Sequence, residues 1–157
     1  MTSEASVRHR ARILAVQALY SMEMGDASAA HAVRAAAGLG EETDAIVEAP
    51  EMPYAERLVE DVERQKISID QLVGRSGTRW RVDRMSPLDL QILRVAVAEL
   101  LEPAEELPTP VVIDEAIEVA RAFGGDASSG FVNGVLDAVA REVRRPGGGG
   151  GGEGRQG

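Results

Sequence analysis

The sequence predicts an all-α fold, a single-domain bundle of about seven helices. Along most of the 157 residues, apolar side chains recur at intervals of three and four, which is the spacing of one helix face. No segment alternates apolar and polar residues over the length of a strand. Serine or threonine followed by proline marks two helix starts, because hydroxyl groups cap helices and proline fits the first turn.

Three helices are expected in the first part of the chain. The first begins at about Ser6 and ends at Gly25, and a short alanine-rich helix covers about residues 28–37. Residues 38–53 form an acidic loop that has too few apolar side chains to pack against a core. The third helix begins at Tyr54.

A fourth and a fifth helix follow from cap signals. Ser68 with Gln71 fits a capping box, which predicts a helix separate from the one that begins at Tyr54. Ser86 before Pro87 starts a helix that is apolar nearly all round. Such a helix belongs in the middle of a bundle.

The two last helices complete the bundle. A threonine–proline pair at Thr109 repeats the cap signal, and the helix after it is expected to stop at Gly124–Gly125. The final helix begins at about Ser129. The glycine-rich residues 146–157 cannot bury side chains and are expected to be disordered, which leaves 1–145 as the helical domain.

Composition excludes several classes of function. Without cysteine there are no disulfides, zinc–thiolate sites or cysteine nucleophiles, and the two histidines are too few for a histidine metal site. No run of 18 apolar residues and no signal-peptide pattern occurs, so we expect a cytoplasmic chain that does not bind a membrane. Phosphate-loop and nucleophile-elbow motifs are missing. We therefore expect no enzyme activity, no metal and no cofactor.

The net charge of -9 is unevenly distributed. Residues 41–63 hold nine carboxylates and one arginine, so the rest of the chain is nearly neutral. Two clusters are locally basic, one around His9 and one around Trp80. Because local clusters decide whether a polyanion can dock, both are candidate nucleic-acid contacts.

The amino-terminal cluster consists of Arg8, His9, Arg10 and Arg12. At 100° per residue, Arg8 and Arg12 flank the apolar stripe of the first helix, and Arg10 projects to the far side. Arginine binds phosphates through paired hydrogen bonds and stacks on bases, which suits RNA. A solvated helix start that happens to be rich in arginine explains the residues equally well, so both interpretations stay open here.

The second cluster runs from Arg75 to Arg84 around Trp80. Trp80 could stack on a base, but a single tryptophan between two helices more often packs inside the bundle. The arginines of this cluster could pair with the acidic stretch 41–63. Nucleic-acid binding is therefore the weaker interpretation of this cluster.

Three segments together resemble the NusB family. In chain order they are RHRAR with AVQALYS in 8–21, ILRVA with EL in 92–100, and IDEAIE with FG and FVNGVLD in 113–137. Their order and spacing match the family across about residues 7–145. The string FVNGVL at a helix start is the most distinctive piece.

This resemblance implies an all-helical protein with two helical subdomains and no enzyme activity. It implies an adaptor that binds the boxA element of nascent ribosomal RNA transcripts together with a small-subunit ribosomal protein, NusE. That complex joins other Nus factors and RNA polymerase and favours antitermination.

The resemblance also assigns site residues by position. RNA contacts are expected at Arg8, His9, Arg10, Arg12, Gln17, Tyr20, Phe131 and Asn133. The family often has arginine at the position of His9, so this contact is expected to depend on pH. Contacts with the ribosomal protein are expected at Asp89, Tyr20 and Asp126. Asp126 is a substitute, because the family's acidic residue is expected at Ala127.

Two alternatives stay open. A homodimeric helical interaction protein would use a mixed face of the first helix that holds Ile13, Val16 and Tyr20. A stand-alone NusB-like domain related to RNA methyltransferases would share the fold, although this chain has no catalytic cysteine. Both a monomer and a homodimer fit the sequence.

Overall fold

A computed structural model describes residues 3–25, 28–38, 49–76 and 85–144. Within these ranges the chain forms five α-helices and no strand: α1 Glu4–Met24, α2 Ala29–Ala36, α3 Met52–Ser76, α4 Pro87–Leu100 and α5 Thr109–Val143. The all-α prediction is confirmed, whereas the prediction of about seven helices is wrong. No helix in the described part of the chain is long and apolar enough to cross a membrane.

The break that the sequence predicts before Ser68 corresponds to a kink inside α3, three residues earlier. At Gln65 the backbone leaves the helical region (φ -109°, ψ 16°), and the side-chain amide donates to the carbonyl oxygen of Asp61 at 3.3 Å. Helical backbone resumes after Gln65 and runs to Ser76. Ser68 therefore lies inside α3, and the capping box predicted there is wrong.

The break predicted at Gly124–Gly125 corresponds to a kink inside α5. Gly125 has φ 82° and ψ -164°, a conformation that glycine adopts almost alone, and helix resumes directly after it. The predicted cap at Thr109 is also wrong, because Pro108 occupies the N-cap position without a side-chain hydrogen bond. The Thr109 hydroxyl instead accepts a hydrogen bond from Arg144 at 3.2 Å.

The chain divides into two compact units, Met1–Lys66 and Ile67–Gly157. In the first unit, the Ser3 hydroxyl caps α1 by accepting from the amide of Ser6 at 3.0 Å, so α1 begins earlier than the sequence predicts. The Ser28 hydroxyl caps α2 in the same way. The buried apolar side chains of this unit include Ala11, Ala15, Leu19, Val33, Leu58, Val59 and Val62.

Helix α4 forms the centre of the second unit. The Ser86 hydroxyl accepts from the amide of Asp89 at 3.1 Å, and Pro87 follows in the first turn, as the sequence predicts. Every residue from 90 to 100 is buried, which confirms the prediction of a central helix. The α5 side chains in the core of this unit include Val112, Ala116, Val119, Val132, Val135, Leu136 and Val139.

Arg144 holds the end of α5 against the end of α4. Its guanidinium donates to the carbonyl oxygens of Leu100 at 2.9 Å and Glu102 at 2.8 Å, and also to those of Glu99 and Leu107. The carbonyls at a helix end lack partners within the helix, so one arginine satisfies several of them here. Burial lowers the pKa of this guanidinium, against the opposing effect of nearby carboxylates.

Candidate nucleic-acid interface

The first turns of α1 place two arginines of the amino-terminal cluster at the surface. The Arg8 side chain is 35% exposed and pairs with Glu4 one turn earlier, at 3.1 Å. The Arg10 side chain is 44% exposed and lies 3.5 Å from the carboxylate of Glu51, just before α3. His9 between them is half-buried. Each exposed cation thus has a carboxylate neighbour that a phosphate would have to displace or join.

Arg12 differs from the rest of the cluster. Its relative exposure is 4%, so the sequence-based picture of three surface arginines is wrong for this residue. The guanidinium lies over the ring of Tyr54, with its central carbon 5.9 Å from the ring centroid. A buried guanidinium must be compensated, and the aromatic face supplies part of that compensation. Arg12 therefore connects α1 to α3.

Tyr54 is the residue that sequence reasoning missed. Besides Arg12, Arg8 lies over its ring at 5.1 Å and Arg57 at 6.0 Å, all within the range of a cation–π interaction. From the sequence alone, Tyr54 is expected only to begin a helix. The spacing of three between Tyr54 and Arg57 could have signalled this contact, since such residues are neighbours on a helix. The contacts with α1 depend on the tertiary fold and leave no signal in local sequence.

Further along α1, Gln17 and Tyr20 are exposed, and the Tyr20 side chain is 40% accessible. Gln17 lies seven residues after Arg10, so the two project within about 20° of each other and about 10 Å apart along the helix. One face of α1 thus carries a guanidinium and an amide in line, with an aromatic ring beside them. Such a face offers phosphate binding, hydrogen bonding and stacking to a single nucleic-acid strand.

The mixed face predicted for a homodimer is interrupted. Val16 is 1% exposed and belongs to the core, whereas Ile13 is half-buried and Tyr20 is exposed. The three residues therefore do not form one continuous surface.

The remaining predicted residues lie in the second unit, close to the kink of α5. Asp89, in the first turn of α4, accepts a hydrogen bond from the hydroxyl of Ser128. Asp126 is almost fully exposed, and its carboxylate lies 3.5 Å from Arg121. The start of α4 and the segment after Gly125 are thereby held together, which places Asp89 and Asp126 near one surface.

Phe131 and Asn133 lie on α5, about two turns beyond the kink. Phe131 is half-buried and Asn133 is exposed. Residues two apart on a helix point about 160° away from each other, so these two side chains do not share a face. The structure therefore holds Asp89 against the segment that leads to Phe131, whereas Asn133 lies on another face of α5.

Part of the second basic cluster lies outside the described residues, which include neither Trp80 nor residues 77–84. Arg75 is described, and its guanidinium pairs with Glu142 of α5 at 2.5 Å. The sequence suggested a pairing with the acidic stretch 41–63, of which residues 41–48 lie outside the described residues.

Comparison with known sequences identifies a family. The sequence model described as the NusB family matches residues 9–141. The Transcription antitermination protein NusB of Myxococcus xanthus is 40% identical over 139 residues, which are 88% of this chain and 98% of the relative. The protein of the same description from Anaeromyxobacter dehalogenans is 41% identical over 135 residues, which are 86% of this chain and 91% of the relative.

Comparison with solved structures agrees. A structure of T. maritima NusB superposes with a TM-score of 0.74 at 31% identity and covers 90% of this chain and 94% of that one. A structure of the antitermination factors NusB and NusE in complex with double-stranded RNA gives a TM-score of 0.72. It covers 87% of this chain and 97% of that one at 23% identity, a likeness that shows the fold.

Proposed function

The chain belongs to the NusB family, and we propose that it is a transcription antitermination adaptor for nascent ribosomal RNA transcripts. It binds boxA-type RNA together with the ribosomal protein NusE and helps to assemble Nus factors on RNA polymerase in the cytoplasm. It is a binding protein and not an enzyme, as its relatives are antitermination proteins. Its working part is the helical domain 1–145 with two subdomains.

The observation that carries this proposal is the exposed face of α1. Arg10, Gln17 and Tyr20 are exposed there, and His9 is half-buried beside them. Arg8 is partly accessible as well, about 160° around the helix from Arg10. Along the helix these residues cover about 18 Å, enough for several nucleotides of an extended strand. We assign RNA contacts to these residues and, on the second unit, to Phe131 and Asn133.

Arg12 has a different role in this proposal. Because it is buried over Tyr54, it positions the start of α1 and does not touch RNA. Substitution of Arg12 is thus expected to act through the fold, and substitution of Arg10 through the charge at the surface.

The ion pairs explain why a partner is needed. Glu4 and Glu51 already neutralise part of the charge on Arg8 and Arg10, so few phosphates can be bound with full effect. RNA binding by the chain alone is therefore weak and responds little to salt. A second protein that supplies further cations and buried surface raises the affinity by cooperative assembly.

The partner surface is expected to include Asp89, Asp126 and Tyr20. The related NusB in the structure with NusE and RNA has the same fold, and we extend that assembly to this chain. Carboxylates around the kink of α5 suit a ribosomal protein, since a basic partner is steered towards negative charge.

Co-purification with NusE, followed by titration of a boxA-type RNA oligonucleotide at several salt concentrations, tests the proposal. We expect a stable complex with NusE and a tenfold or greater gain in RNA affinity over the chain alone. A control oligonucleotide of scrambled sequence should gain less. If NusE does not bind, or if RNA affinity is the same with and without it, the proposed adaptor role is wrong.

A further inference from the structure

The ring of Tyr54 collects guanidinium groups from two helices. Arg8 of α1 and Arg57 of α3 both lie within about 6 Å of its centroid, and both are partly exposed, at 35% and 56% of the side chain. Arg12 lies over the same ring from a buried position. Three positive charges around one ring form a local concentration of charge that neither helix has alone.

Two acidic side chains of α3 lie on the side of the helix opposite this cluster. Relative to Tyr54, Glu56 and Glu63 project about 160° and 180° around the helix, so they belong to its opposite side. Asp61 shares the face with Arg57, but its carboxylate lies 2.8 Å from Arg64 and 3.7 Å from Arg57. On this face of α3, two arginines therefore flank the one carboxylate, that of Asp61.

We propose that Arg8 and Arg57, gathered by Tyr54, form a phosphate-binding point that extends the RNA contact from α1 onto α3. This inference rests on the proposed function and adds two residues, Tyr54 and Arg57, to its binding surface. Arginine suits phosphate because its planar guanidinium donates two parallel hydrogen bonds. The aromatic ring restricts the orientation of the guanidinium before the phosphate binds. In this site Arg57 touches RNA, and Tyr54 is a positioning residue.

The test compares Arg57→Gln with Arg64→Gln in the complex with NusE. The two arginines lie on the same helix near the same carboxylate, but Arg64 is not among the guanidiniums over the Tyr54 ring. Affinity for a single-stranded boxA-type oligonucleotide is measured across salt concentrations. We expect Arg57→Gln to weaken binding threefold to tenfold and to reduce the slope of log affinity against log salt by about 0.7, the value for one phosphate of a single strand. Arg64→Gln should leave the slope unchanged.

Substitutions of the ring separate positioning from contact. Tyr54→Phe keeps the aromatic face and should keep the salt slope, whereas Tyr54→Leu should lower the affinity as Arg57→Gln does. Circular dichroism checks that each variant is folded, and affinity for NusE without RNA is measured for Arg57→Gln. A loss of NusE affinity there would assign Arg57 to the protein partner and overturn the RNA contact.

Failure of this inference is distinguishable from failure of the proposed function. If Arg10→Gln weakens RNA binding while Arg57→Gln does not, the phosphate-binding point on α3 is wrong and the adaptor role stands. Equal losses in Arg57→Gln and Arg64→Gln would also overturn the point, because the effect would then be general surface charge. If the wild-type complex does not bind the oligonucleotide, both proposals fall.

Discussion

Arg94 of α4 and Asp70 of α3 form a bidentate ion pair. The guanidinium donates from Nε to one carboxylate oxygen at 2.9 Å and from Nη2 to the other at 2.8 Å. The Arg94 side chain is only 7% exposed, and its Nη1 also contacts the amide oxygen of Gln91 at 3.4 Å. A charged group sits in the central helix of the second unit because this pairing compensates its desolvation.

Removal of one partner should therefore be costly. We expect Asp70→Ala to lower the free energy of unfolding by about 2 to 3 kcal/mol, since it leaves a buried guanidinium without its carboxylate. The matched control is Asp137→Ala, which breaks the exposed pair of Asp137 with Arg141 and should cost less than about 0.5 kcal/mol. Urea denaturation measures the free energy of unfolding of both variants. If the two variants lose equal free energy, the buried pair adds no more stability than the exposed pair.

The kink at Gly125 predicts opposite effects for two glycine substitutions in α5. Gly125→Ala forces a side chain into φ 82°, ψ -164° and should cost about 1 to 3 kcal/mol. At Gly134, an added methyl group meets no atom within 4 Å, so Gly134→Ala should gain about 0.5 to 1 kcal/mol through helix propensity. Thermal unfolding gives the sign of each change. A neutral Gly125→Ala would mean that α5 can straighten at this position.

The three arginines of the amino-terminal cluster should separate into two classes. Arg8→Glu and Arg10→Glu should leave the unfolding midpoint nearly unchanged and weaken RNA binding in the NusE complex about tenfold or more, since each reverses a surface charge. Arg12→Gln should instead lower stability by about 1 to 2 kcal/mol, because it removes a buried cation from the ring of Tyr54.

Arg141→Glu is the matched control for these charge reversals, as Arg141 is exposed on α5 of the second unit. It should change neither stability nor RNA affinity by much. If Arg12→Gln weakens RNA binding at full stability, then Arg12 contacts RNA in spite of its burial in the free chain.

Asp89 gives a test of the partner surface. Asp89→Asn removes the charge but keeps an oxygen that can accept from the Ser128 hydroxyl, so the fold should be preserved. We expect NusE affinity to fall about tenfold, as one charge contact at an interface is worth about 1 to 2 kcal/mol. Calorimetric titration with NusE measures this loss, with Asp137→Asn as the control. Unchanged affinity would remove Asp89 from the partner surface.

Elements with strong local signals could be predicted from the sequence. Ser86 and Pro87 start α4 as expected because a hydroxyl cap and a first-turn proline act within one helical turn. The apolar surface of α4 likewise predicted its central place. The Ser68 signal was wrong in its position, because the backbone leaves the helical region three residues earlier, at Gln65, and Ser68 lies within the helix that follows. Gly125 marks a break as predicted, because its positive φ interrupts the helical backbone, although helix resumes directly after it.

The sequence predicted the part of the candidate site that lies on a single helix. It did not predict the contacts that form between helices. Arg8, Arg10 and Gln17 could be placed on one helix from their spacing alone. The burial of Arg12 depends on Tyr54, which is 42 positions further along the chain, and periodicity carries no information on that contact. The pairing of Asp89 with Ser128 is likewise set by packing of α4 against α5.

Arg144 determines how far the chain can be shortened from its carboxyl end. Since its five hydrogen bonds fasten the segment between α4 and α5, a protein shortened to end at Val143 would lose that fastening together with a single residue. Trimming or tagging at this end therefore has to start after position 144 if the second unit is to keep its native stability.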